Sequence, residues 1–214
     1  MNDYRSIHRY GRNETTINKS RFIGTAMPVA SEEEALEFIE KIRKEFKDAT
    51  HNVYAYTIGE NSGIQRYSDD KEPSGTAGMP VLNVINQENL KNVAVVVTRY
   101  FGGVLLGAGG LVRAYTKGAK IALESGIIVE RNLYYDVEFS IDYTLLGRMD
   151  NELMKNSFMV KNKTYDDKVR FFLIVKEGET DKLNDLVKEI TGGKAEINLG
   201  QSSYHSVKDG KIVE

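Results

Sequence analysis

The chain has 214 residues and a mass of 24.1 kDa, long enough to bury roughly 70% of the surface its unfolded form exposes without a covalent staple. Hydrophobic residues at 41%, charged residues at 28% and a formal net charge of −2 describe a globular chain, exclude a bulk polycation and leave any nucleic-acid contact to a local patch. Cysteine is absent, which excludes disulfides, thiolate zinc sites and a cysteine nucleophile; no apolar run is long enough to span a membrane and the N-terminus carries no signal-type apolar core, so the expected location is cytoplasmic.

The chain divides near residue 131. Residues 1–132 carry 17 Lys and Arg against 16 Asp and Glu, and residues 133–214 carry 12 against 15. All three prolines, Pro28, Pro73 and Pro80, lie in the first part. The expected domains are 1–131 and 132–214. In the first, residues 15–27 read as a strand. Ser31 with Glu34 forms a capping box, and Ala35, Ile39, Ile42 and Phe46 keep helical spacing behind it. Residues 51–58 and 64–68 read as a hairpin with a glycine at each end of the connection. Pro80 suits the first position of a short helix to about Gln87. Residues 93–98 form a β-branched run suited to a buried strand. Residues 110–125 read as a helix, stopped by Gly126.

The second part reads as strand 133–141, helix 144–156, strands 158–165 and 168–176, helix 180–191 and strand 195–207. Leu145, Leu146, Met149 and Leu153 form the buried face of the first helix; Leu183, Leu186, Val187 and Ile190 form that of the second. The order β-α-β-β-α-β is the ferredoxin-like pattern, which by itself selects no function.

The segment 93–120 is the most informative. A buried strand, a glycine-rich loop and a helix follow in order, and five of the nine residues 102–110 are Gly (Gly102, Gly103, Gly107, Gly109, Gly110). Such a loop brings backbone N–H groups close to a ligand, and the helix start adds unpaired amides and a positive dipole end. An anion such as a phosphate is the expected ligand. The sequence is neither a Walker A loop nor the dinucleotide fingerprint; the alternative is that glycine serves tight strand-to-helix packing. At about 100° per residue, Leu111, Ala114, Tyr115, Gly118, Ile121 and Ala122 share one stripe of the helix, and Arg113, Lys117 and Lys120 share an outward one. Between residues 89 and 123 there are five basic residues, Arg99 among them, and no acidic one. An ordinary solvated face is the alternative to a binding patch. Tyr100 and Phe101 beside Arg99 suit either base stacking or core packing.

Residues 68–80 place Asp69, Asp70 and Glu72 ahead of Ser74, Gly75, Thr76 and Gly78. They suit a second anion nest, a hydrated Mg²⁺ or solvated turn residues. His8, His51 and His205 are scattered without metal-ligand spacing, and no nucleophile elbow is present, so no catalytic residue, metal or cofactor is assigned.

At these residues the chain resembles the IMPACT family, in its bacterial YigZ-like branch. The likeness runs through Ser20-Arg21-Phe22-Ile23, His51-Asn52-Val53-Tyr54-Ala55-Tyr56, residues 69–80, and Thr98-Arg99-Tyr100-Phe101-Gly102-Gly103 with its continuation to Tyr115. Lys71 departs from it, standing where the family motif usually has Gly. The resemblance implies an α+β protein. Its N-terminal domain would be like domain 2 of ribosomal protein S5, and its C-terminal domain ferredoxin-like, as in elongation factor G. Both implied folds recur in translation factors and point to RNA or the ribosome. Eukaryotic members of the family regulate translation by binding the effector protein that activates an initiation-factor kinase, through an additional RWD domain for which these 214 residues leave no room. No enzymatic activity is implied.

The first expectation is therefore a non-enzymatic RNA- or ribosome-binding modulator of translation. In it Arg99, Arg113, Lys117 and Lys120 contact phosphates, residues 107–110 cradle one, and Tyr100 or Phe101 stacks on a base. A Mg²⁺-dependent phosphate- or nucleotide-handling enzyme using Asp69, Asp70 or Glu72, and a protein-interaction module with a partner in translation, are the alternatives. No membrane partner is expected.

Overall fold

The computed structural model describes residues 3–59 and 61–213. They are α+β and fall into two compact units, residues 3–131 with 206–213, and residues 132–205. No helix among the described residues is long and apolar enough to cross a membrane.

The N-terminal unit contains β1 (Tyr4–Ile7), β2 (Gly11–Ile17), β3 (Ser20–Pro28), α1 (Glu32–Glu45), β4 (His51–Ile58), β5 (Ile64–Ser68), α2 (Gly78–Gln87), β6 (Val93–Tyr100) and α3 (Gly107–Ser125), followed by the start of β7 (Ile128–Ile141). Five strands form one antiparallel sheet in the order β2-β3-β6-β4-β5, and β1 pairs with residues 128–131 of β7. Side chains alternate between the sheet's faces. Val93, Val95 and Val97 of β6 enter the core that includes Val81, Ile85, Leu111, Ala114 and Tyr115 of α2 and α3. Ala94 and Val96 enter a second core with Phe38, Ile39 and Ile42 of α1. Both faces are covered, which is why residues 93–97 of β6 are apolar without interruption. The close seating of α3 depends on glycine: a Cβ on Gly24 would lie 2.0 Å from the Gly118 carbonyl oxygen.

The capping box forms in a shifted version. The Glu34 amide donates to Ser31 Oγ at 3.2 Å, while Glu34 Oε2 accepts from the Ala30 amide at 2.7 Å. Leu36 of α1 is exposed, and Phe38 is buried. The expected single strand 15–27 is a hairpin instead. Asn18 and Lys19 take φ of 44° and 67°, and this two-residue turn sets Ile17 opposite Ser20. The hairpin 51–68 forms as expected, with Ile58 opposite Ile64; Glu60 in its connection lies outside the described residues. Helix α2 begins at Gly78, two residues before the expected Pro80 start.

The C-terminal unit holds the rest of β7, a 3₁₀ turn at Tyr143–Leu145, α4 (Leu146–Lys155), β8 (Met159–Tyr165), β9 (Val169–Lys176), a 3₁₀ turn at Glu177–Glu179, α5 (Thr180–Thr191) and most of β10 (Asn198–Lys208). Its strand order is β10-β7-β9-β8. Alternate residues Val137, Phe139 and Ile141 of β7 and Phe171, Leu173 and Val175 of β9 join Met149 and Leu153 of α4 and Leu183 and Val187 of α5 in one core. Phe139 and Phe171 stack with centroids 5.1 Å apart. A short last strand, β11 (Lys211–Ile212), pairs with Val207 and Lys208.

Candidate functional site

Helix α3 starts at Gly107, three residues earlier than the sequence suggests, so Gly107, Gly109 and Gly110 form its first turn rather than a loop ahead of it. Gly102 packs on the Lys19 backbone, while Gly103 and Gly107 take φ of 82° and 68°. Leu106, at φ −87° and ψ −20°, offers no side-chain cap. A right-handed residue followed by a left-handed one turns consecutive N–H groups into an anion-binding concavity, and the helix dipole reinforces it. Gly109 differs from its neighbours. Its backbone is not left-handed, and a Cβ there would meet only Arg113 Nη1, at 3.7 Å. No local packing demands glycine at this position.

Arg99 corrects an expectation. The sequence sets it with the cations expected to contact phosphates, but position 99 shares the phase of Val93, Val95 and Val97, so its side chain turns under α3 and is 6% exposed. Its Nη1 donates to Glu72 Oε1 at 2.7 Å and its Nη2 to Ser20 Oγ at 3.3 Å, while Nε finds no partner among the described residues. Tyr115 Oη donates to the same Glu72 oxygen at 2.7 Å. Burial holds the Tyr115 phenol far above its ordinary value, and the bond to Glu72 adds to the shift. His51 Nδ1 donates to the Asp70 carbonyl at 2.7 Å, which turns Nε2 towards Glu72 Oε1 at 3.6 Å.

The acidic segment is likewise committed to the fold. Asp69 accepts from the amides of Gly75 (2.9 Å), Ala77 (3.1 Å) and Gly78 (2.8 Å), so the second expected anion nest is filled by the protein's own carboxylate, which also caps α2. Asp70 Oδ2 accepts from the Asn52 amide at 2.6 Å. Thr76 Oγ1 donates to the Pro73 carbonyl at 2.6 Å, and Ser74 is exposed. Asp69, Asp70 and Glu72 therefore diverge, and no group of three His, Asp or Glu among the described residues is arranged to hold a metal ion. Lys71 takes φ of 69°, a conformation that suits the glycine of the family motif.

Arg113, Lys117 and Lys120 stand exposed on α3, and none has an ion-pair partner among the described residues. Leu111, Ala114, Tyr115, Gly118 and Ala122 are buried beneath them, as the helical spacing predicts, while Ile121 of the same stripe is only partly buried. Tyr100 faces away from Arg99 and donates to Asp48 Oδ1 at 2.9 Å. Phe101 is 46% exposed, with the Arg99 guanidinium 5.5 Å from its ring centroid.

Between the start of α3 and the end of β6 lies a cavity of about 410 Å³. Phe101, Leu105, Leu106 and Leu111 supply apolar walls, and Thr50, His51, Glu72 and Arg99 supply polar groups. Sequence reading misses Thr50, Leu105 and Leu106 and assigns His51 no role. The signal that finds them is topological: β4 and β6 are paired neighbours with His51 opposite Arg99, so both strand ends open at the helix start.

A family model described as "Impact N-terminal domain" matches residues 18–123, and one described as "Domain of unknown function (DUF1949)" matches residues 139–194. The first range contains every residue of the site above. The chain is 46% identical over 204 residues to the IMPACT family member YvyE of Bacillus subtilis (strain 168), covering 95% of this chain and 94% of that protein. It is 34% identical over 151 residues to YigZ of Escherichia coli (strain K12), covering 66% and 74%. Human Protein IMPACT is 36% identical over 97 residues, which are 43% of this chain and 30% of that protein. A crystal structure of a hypothetical protein aligns with a TM-score of 0.60 at 27% identity, covering 94% of this chain and 98% of that one.

Proposed function

The chain belongs to the IMPACT family, and from that premise we propose that it is a cytoplasmic RNA-binding protein that modulates translation at the ribosome, a binding module rather than an enzyme. One observation carries the reading: Arg113, Lys117 and Lys120 stand exposed, without an ion-pair partner among the described residues, on the helix whose uncapped amides open at residues 107–109. A phosphate at those amides and further phosphates along the cations would use the charges and amides that the fold leaves unspent on α3. The proposal includes the fold relationships. The N-terminal unit is read as S5 domain 2-like and the C-terminal unit as ferredoxin-like. The strand order β10-β7-β9-β8 around two crossover helices supports the latter.

Filter binding of a single-stranded RNA across a salt series tests the function. Three phosphates neutralised by three cations give a log–log slope near −2, roughly 0.7 per phosphate. The double variant Arg113→Glu/Lys117→Glu is expected to lose most of the affinity. A flat salt profile, or a double variant that binds like the parent, refutes the reading.

A further inference from the structure

The cavity beside the α3 start is not needed to bind a phosphate backbone, yet it adjoins the proposed phosphate site. We propose that it receives one unpaired nucleotide of the bound RNA, an inference that rests on the RNA reading above. The base would stand against Phe101 between Leu105 and Leu106, and its phosphate would sit on the uncapped amides of α3 beside Arg113.

Four features support the fit. The volume, about 410 Å³, lies in the range of small-molecule pockets and suits a single nucleotide. The walls are apolar and one is aromatic, as a base face requires. The floor offers a hydrogen-bond acceptor beside a cation that is already held. Arg99 is 95% buried, and its Nε–H, with no partner among the described residues, is enclosed by the protein. Glu72 receives Arg99 and Tyr115 on Oε1 alone, leaving Oε2 to accept from a base N–H. Finally, the Arg99 and Glu72 charges offset each other, so the floor is matched to a neutral base, while positive potential is confined to the rim at α3.

Fluorescence anisotropy with labelled RNA tests the assignment in three arms: a single strand, the same strand with one abasic position at each site in turn, and the blunt duplex. Phe101→Ala removes a half-exposed ring and spares the fold. It is expected to weaken single-strand binding roughly tenfold, the loss of one base stack, and to leave duplex binding unchanged. One abasic position in the strand is expected to reproduce that loss and to make Phe101→Ala silent. Leu105→Ser, at a side chain 87% exposed, is the second variant and should weaken the single strand in the same direction. If RNA binds but Phe101→Ala affects all three forms equally or none, the cavity assignment fails and the phosphate site stands. If no RNA form binds the parent protein, the functional reading and this inference fail together.

Discussion

Glu72 gathers the buried polar floor onto one oxygen, with Arg99 and Tyr115 each at 2.7 Å. A carboxylate on a side chain only 4% exposed is tolerable when a cation matches its charge, as Arg99 does. Tyr115 makes this testable. Its folded-state phenol is held above the ordinary value of 10.0, chiefly by burial. Above that pH the unfolded chain releases a proton that the folded chain retains. Unfolding then releases one proton, and stability falls as pH rises, by about 1.4 kcal/mol per unit for this group. Its stabilising effect is complete below pH 10.0 and is lost above it. Tyr115→Phe should cost about 1–3 kcal/mol at neutral pH, because Glu72 loses a buried donor. It should also make the alkaline loss of stability shallower by one proton. Urea unfolding of both proteins between about pH 7 and 11 reads both effects. Equal alkaline slopes would show that Tyr115 is not the group retained.

Helix α3 combines two demands on glycine that its sequence does not separate. Gly24 and Gly118 let the helix sit on the sheet, and Gly107 supplies a left-handed residue at its start. Gly109 serves neither demand, and alanine at this helical position is favoured by about 1 kcal/mol. Gly109→Ala should therefore raise the unfolding midpoint. If a phosphate seats on the first-turn amides, the same methyl group crowds it and RNA affinity falls. Stability up and affinity down is the expected pair, measured by thermal unfolding and filter binding; unchanged affinity would leave the glycine without a ligand role. The elements that sequence reading located well, such as α1 with its Ser31 cap and the hairpin 51–68, carry local signals: a cap residue, helical spacing, glycines bounding the turn. Those it missed lack such signals. The β2–β3 turn is Asn18-Lys19, with no glycine to announce it. Strand β1 has four residues. The first turn of α3 is glycine-rich and reads as loop. Arg99 was legible from its phase with Val93, Val95 and Val97, but its buried partner Glu72 is 27 residues distant, and only the fold brings the two together.

Across the whole molecule the formal charge is only −2, and beyond about 8 Å at physiological salt exposed charges are screened from one another. Net charge therefore says little about the proposed RNA contact, which rests on the local row of cations on α3. The unfilled hydrogen-bonding capacity of the site lies beside it, at the α3 start and at Glu72 Oε2, since Asp69 and Asp70 accept from backbone amides and Glu72 Oε1 from Arg99 and Tyr115. The most direct measurement is an amide chemical-shift map of the protein titrated with a single-stranded RNA. The largest perturbations should fall on residues 107–120, led by the Gly107, Ala108 and Gly109 amides, and should fade as salt is raised. Perturbations concentrated on the C-terminal unit, or none along α3, would contradict the assignment of that helix as the RNA-binding element.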